Sequence, residues 1–192
     1  MAKQKAAIIR YYAHGLYSEF YKTTIGVDFA SKDLTINNKH VGLAILDIAG
    51  QERYGNYTQV YMSDASGAVI IFDANSPSEL DDVNKWGEYI KRKVLTSEYI
   101  SIPILLIGCL VNNTNESYKD LEEKYRKYSE EKGYIGYFIV DVKTGLNIEE
   151  SFFSLAKYIV DNDIYPSSEE IDLTPKEGKG KKGEKNKVCV IQ

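Results

Sequence analysis

Short apolar runs and longer apolar stripes alternate along the chain, and that alternation is the first structural signal. Residues 67–72 (GAVIIF) and 102–108 (IPILLIG) are almost continuously apolar, and residues 136–142 (GYFIVDV) nearly so. Strands covered on both faces of a parallel sheet read this way. Between these runs, apolar residues recur every three or four positions. Leu80, Val83, Trp86, Ile90 and Val94 form one stripe, preceded by Ser76-Pro77-Ser78-Glu79, a capping box with proline at the first helical position. Tyr118, Leu121, Tyr125 and Tyr128 form a second, stopped by Gly133. Ile148, Phe152, Leu155 and Ile159 form a third, with Asn147 placed to cap it and Glu150 three residues on. Ala6, Ile9, Ala13 and Leu16 predict a further helix near the N-terminus. Residues 28–36 and 41–47 read as strands joined by the hairpin-type connection Asn37-Asn38-Lys39. A hairpin followed by strand–helix alternation predicts an α/β fold, a doubly wound and mostly parallel sheet with helices on both faces. Ligands of such sheets lie at the carboxyl ends of the strands.

Composition narrows the class. A chain of 192 residues suits one domain, and it contains no apolar run long enough to cross a membrane as a helix. Cys109 and Cys189 are the only cysteines and lie far apart, which excludes a disulfide framework or zinc site and fits a reducing compartment. The net charge of -4 argues against nucleic-acid binding, which wants a basic face. That figure averages two unlike parts. Residues 176–192 carry six lysines and two glutamates, which leaves 18 basic and 26 acidic residues in the remainder. The segment 176–188 (KEGKGKKGEKNKV) has no apolar periodicity and is expected to be flexible. The boundary is therefore drawn at 165, with a folded domain over 1–165 and a flexible tail over 166–192.

The candidate chemistry sits after the second hairpin strand, in Asp47-Ile48-Ala49-Gly50-Gln51-Glu52-Arg53. A strand-terminal carboxylate, a glycine three residues on and then a glutamine suit a γ-phosphate: the Asp holds Mg²⁺ through water, the Gly amide bonds phosphate, and the Gln orients an attacking water. Upstream, Tyr21-Lys22-Thr23-Thr24-Ile25-Gly26-Val27-Asp28-Phe29 offers the Thr24 hydroxyl to the metal. These two stretches resemble the switch regions of Rab-type small GTPases of the Ras superfamily. Ile48 before Ala49-Gly50, with Tyr54-Gly55-Asn56 following, is similar to the branch serving lysosome-related organelles.

The resemblance implies a Ras-like fold, Mg²⁺ with GTP or GDP as ligands, a monomer, and Rab-type effectors and regulators as partners. It implies nucleotide contacts from Thr24, Asp47, Ala49 and Gly50, with Gln51 catalytic and Thr24 and Asp47 at the metal. Residues 21–29 become the effector segment, joined by Leu46 and Tyr61 in an otherwise aromatic triad with Phe29; Leu46 stands where the family has tryptophan.

The family's phosphate-binding loop, GxxxxGK[ST], is not in the sequence. Register with the effector segment puts Lys5 at its lysine and Ala6 at its metal-binding hydroxyl, with Met1-Ala2-Lys3-Gln4 before them. The family's first, central strand is accordingly expected to be missing, and Lys5 to be a solvated side chain. Such a gap would leave buried ladder groups unpartnered at ~1–3 kcal/mol each, against a total stability of about 5–15 kcal/mol. The guanine motif NKxD appears as Cys109-Leu110-Val111-Asn112, in which Asn112 accepts one donor of the base and opposes the other. Of SAK, only Lys143 remains, after Asp141-Val142. Weak or absent GTP binding follows. Cys109 is expected to be a buried small apolar residue. His14 and His40 have no catalytic or metal-binding pattern, and the 16 tyrosines are expected mostly to pack.

The chain ends Cys189-Val190-Ile191-Gln192, which fits C-a-a-X and makes Cys189 the expected site of a covalent prenyl group. The basic segment upstream supplies the second signal that a single lipid needs. The protein is then expected on the cytoplasmic face of intracellular membranes.

Overall fold

A computed structural model describes residues 2–15, 27–48, 62, 64–76, 79–95, 100–110, 117–164 and 184–191. Among these residues ten elements follow in order: α1 (Ala2–His14), β1 (Val27–Ile36), β2 (Lys39–Ile48), β3 (Gly67–Asp73), α2 (Glu79–Lys93), β4 (Ile104–Cys109), α3 (Tyr118–Lys132), β5 (Gly136–Val140), α4 (Ile148–Asp161) and β6 (Glu184–Ile191). The six strands form one sheet in the order β1-β2-β6-β3-β4-β5. Among these six strands β1 and β2 pair antiparallel, and the other neighbours pair parallel. The doubly wound α/β fold expected from the patterning is the one observed.

Alternate residues of the central strands point to opposite faces. Val69, Ile71, Leu105 and Ile107 meet Ile8, Ile9 and Tyr12 of α1 and Phe152, Leu155 and Ile159 of α4. Ala68, Ile70, Phe72 and Leu106 meet Val83, Trp86 and Ile90 of α2 and Leu121 and Tyr125 of α3. Cys109 is buried, as expected of a small apolar residue. At Gly67 a Cβ would come within 2.8 Å of the Ile159 side chain, so glycine there lets α4 lie close on β3. The hairpin turns at Asn37 and Asn38, both at positive φ (52° and 61°), the backbone that a two-residue turn demands and that asparagine tolerates. Gly133 at φ 64° closes α3, its N–H and that of Tyr134 donating to the carbonyls of Glu130 and Ser129. Asn147 departs from expectation. It precedes α4 at φ 58° without a side-chain cap, and its amide instead donates to the Ile139 carbonyl at 2.9 Å.

The main correction concerns the chain's last residues. They were expected in a flexible tail, with the central strand missing from the sheet. Residues 184–191 instead form β6, between β2 and β3, at that central place. Residues 166–183 lie outside the described residues. The composition of β6 matches its surroundings. Glu184, Lys185, Asn186 and Lys187 pair with β2 alone, whereas the apolar Val188, Cys189, Val190 and Ile191 pair with β2 and β3 together. The change from charged to apolar coincides with the point where β3 begins. Backbone groups that a gap would have orphaned thus find ladder partners.

Candidate functional site

The carboxyl ends of β2, β3 and β4 and the loop after β5 bring Asp47, Asp73, Cys109 and Asp141 to one edge of the sheet. Asp47 is held there because residues 43–48 of β2 alternate between two buried faces. The first half of α1 packs across the same edge. Its buried face is set by Lys5, Ile8, Ile9 and Tyr12, a three-and-four spacing that includes a lysine.

Lys5 is 1% exposed, contrary to the expectation of a solvated side chain. Its ammonium lies 3.0 Å from Asp47 Oδ1 and also donates to the carbonyl of Ile48. Desolvation lowers the Lys5 pKa from its ordinary value, and the Asp47 carboxylate opposes that shift by charge and hydrogen bond. A buried ammonium requires such a counter-charge, since the unpaired ion would be too costly to desolvate. Ile48 is also the Cα partner of Ile191. The end of β6 and the first turn of α1 therefore meet at one residue, so the strand that precedes α1 in space comes from the opposite end of the sequence.

A divalent cation at Asp47 needs carboxylate or hydroxyl oxygens free of other cations. The Asp47 carboxylate carries a primary ammonium, and Ala6, beside it in sequence, offers only a methyl group. The described residues do not fit a hydrated Mg²⁺. Among them, no group of three or more His, Cys, Asp or Glu is arranged to hold a metal ion.

The loop after β5 is ordered by its own polar groups. Asp141 accepts the Lys143 N–H at 2.9 Å and the Thr144 hydroxyl at 3.0 Å, and Lys143 is exposed. Phe29, on the edge strand β1, is 65% exposed, whereas Leu46 on β2 is buried. The triad expected to meet effectors is thus divided among its described members. Val27 is half-buried and Asp28 exposed; the Asp28 carboxylate accepts the Phe29 N–H. Tyr21, Lys22, Thr23, Thr24, Ile25, Gly26, Ala49, Gly50, Gln51, Tyr61 and Asn112 lie outside the described residues. Cys189 falls within β6, Cα partner to Leu46 and Ala68.

Two supports were not legible beforehand. Lys32 donates to both Glu149 carboxylate oxygens (2.6 and 2.7 Å) and to the Tyr12 carbonyl (2.8 Å), tying β1 to α4 and α1. The Tyr125 hydroxyl donates to the Ala74 carbonyl at 2.7 Å and pins the loop after β3 to α3. The tyrosine stripe signalled a buried ring there, but nothing in its spacing named the acceptor.

Residues 2–161 match the Ras family. The chain is 37% identical over 189 residues to the Ras-related protein Rab-32B of Dictyostelium discoideum, covering 96% of this chain and 72% of that protein. It is 36% identical over 167 residues to the human Ras-related protein Rab-32, covering 86% and 74% respectively. The Ras-related protein Rab7 of Pisum sativum is 32% identical over 170 residues, covering 88% and 80%.

Proposed function

The chain belongs to the Ras family and, within it, to the Rab small GTPases of the Rab-32-like branch; from that premise we propose that it regulates vesicle traffic through its switch surfaces while binding GTP weakly or not at all. Membership carries the coarser part, because Rab proteins act on intracellular membranes and vesicles through effectors and regulators. The finer part rests chiefly on the Lys5–Asp47 pair. An ammonium already neutralises the carboxylate that a metal-bound nucleotide would use. The degenerate Cys109 to Asn112 stretch and the lone Lys143 support it. Losing charged acceptors at a base costs roughly 1.5–3 kcal/mol per bond, about one to two decades of affinity.

The reading extends to the effector segment 21–29 with Tyr61 as the docking surface, and to a prenyl group on Cys189 holding the protein on the cytoplasmic face of endomembranes, lysosome-related ones among them. A non-enzymatic module with fixed switch surfaces is the second reading, favoured by the same buried pair. Nucleotide content tests the weak-binding reading, and the response of partner binding to nucleotide separates it from the second. The purified full chain is heated and the released nucleotide quantified. The proposal expects far less than one GDP or GTP per chain, and stoichiometric release overturns it. If nucleotide is low and partner binding is unchanged by GDP, a GTP analogue or EDTA, the fixed-surface reading holds.

A further inference from the structure

Residues 184–191 carry two roles that cannot be filled at once. In the sheet, Val188 pairs with Ile45 and Gly67, Cys189 with Leu46 and Ala68, Val190 with Asp47 and Val69, and Ile191 with Ile48 and Ile70. These four apolar residues supply every pairing that β3 makes on that side, and two of them are the aliphatic positions of the C-a-a-X sequence. We propose that the segment has two exclusive places: central strand of the sheet in the unmodified chain, and withdrawn lipid-bearing anchor once Cys189 is alkylated. This rests on the reading of Cys189 as a lipidation site.

The exclusion is steric and covalent. Lipid transfer requires the Cys189 thiolate to attack the first carbon of an isoprenyl diphosphate. A C–S bond forms, the C–O bond breaks, pyrophosphate leaves with the electron pair, and the thiol proton passes to solvent. A transferring enzyme must grip the last residues in extended form, which a strand laddered on both edges does not offer. Nor can the product return to the sheet. On the two strands that flank Cys189, Ile45 and Val69 pack with α1 and α4 on one face of the sheet, and Leu46 and Ala68 pack with α2 and α3 on the other. Close-packed cores have no void for a long isoprenyl chain on either side. Lipid attachment therefore opens the centre of the sheet, and a closed sheet holds the anchor back.

The test is prenylation of the purified full chain in vitro, with farnesyl diphosphate and its transferase in one arm and the geranylgeranyl pair in another. A peptide of residues 184–192 serves as the unrestrained substrate. Val188→Pro removes a ladder N–H next to the acceptor cysteine without altering C-a-a-X. A second variant, A44C/K187C, places cysteines at Cα partners on β2 and β6. Its disulfide locks the strand reversibly. The expected result is modification of the wild-type chain about tenfold or more slower than the peptide, because only the opened fraction is competent. V188P should approach the peptide rate. The oxidised A44C/K187C chain should be inert and regain the wild-type rate on reduction. Equal rates for wild type, V188P and peptide overturn the proposal, as does full modification of the oxidised variant. If neither enzyme modifies the peptide, the lipidation reading itself fails, and this proposal falls with it.

Discussion

A lysine with almost no exposed surface beside a carboxylate is the residue on which the site turns. Deleting one partner of a buried ion pair leaves the other charge uncompensated, at a cost of about 3–5 kcal/mol. Lys5→Met should therefore lower the urea midpoint strongly, and adding Asp47→Asn should recover part of the loss. Additive effects in that double-mutant cycle would refute the coupling. The titration behaviour follows from burial. Desolvation raises the Tyr12 phenol pKa, with Glu149 adding to it, and raises that of Tyr134, with Tyr128 and Glu88 adding. Tyr128 is pushed up to about 12 by burial and then by Glu131 and Asp81. For these groups the folded value exceeds the unfolded value of 10.0, so the unfolded chain releases protons first. Their contribution to stability is complete below pH 10 and is lost as pH rises through the folded values. Lys5 acts oppositely: its folded pKa lies below 10.5, so the unfolded chain holds more protons in that interval and stability rises across it. Burial also raises the phenols of Tyr89 and Tyr137, so among the described residues five phenols oppose one amine. Alkaline unfolding followed by far-UV ellipticity should begin above pH 10, with the phenolate absorbance of these tyrosines appearing together with it. Simple independent titration of all tyrosines near their ordinary value would contradict this.

At the scale of elements, α3 shows how local chemistry sets an end. Ser117 accepts the Asp120 N–H at its start, and Gly133 closes it in the left-handed region. No atom lies within 4 Å of a Cβ built at Gly133, so a substitution there meets backbone strain alone. Gly133→Ala should cost ~1 kcal/mol and Gly133→Asn clearly less, read as thermal midpoints. Ser117→Ala should cost about 1 kcal/mol by removing the cap. The two ends are legible to different degrees in the sequence: Gly133 closes a clean stripe, a plainer signal than one serine among the polar residues before Tyr118. At α4 the same logic failed. Asn147 has the composition of a cap, but its backbone enters the left-handed region and its amide is drawn to the Ile139 carbonyl. A residue's capping capacity is local, while the acceptor that outbid the helix belongs to a neighbouring strand.

For the whole molecule, the order of the strands matters more than their number. β6 joins the β1–β2 hairpin to the β3–β4–β5 unit, and among the described residues no other strand pairing connects them. Removing residues 184–192 should expose the inner edges of β2 and β3 together. At ~1–3 kcal/mol for each buried group left unpaired, a few such groups rival a total of about 5–15 kcal/mol. The truncated chain should therefore melt without a cooperative transition, or tens of degrees lower. An unchanged midpoint would show that β6 contributes nothing to the sheet.

Apolar spacings of three or four residues and of two were enough to locate three parallel strands, the hairpin and four helices, because these depend on near neighbours in the chain; at α1 the stripe Ala6, Ile9, Ala13 and Leu16 missed Lys5, Ile8 and Tyr12 of the buried face. The Asp47 loop and the family it belongs to were legible for the same reason: the motif is contiguous. Two decisions lay beyond that range. Lys5 looked solvated because lysine usually is, and only the approach of β2 to α1 supplied the carboxylate that lets it be buried. Cys189 to Gln192 read as a lipidation signal and Val188 as the end of a flexible segment, since four apolar residues after a lysine-rich stretch are too short to declare a strand. Their place in the sheet is set by two open edges more than a hundred residues away in sequence. Local pattern reports what a segment is able to form; pairing between distant edges decides where it goes.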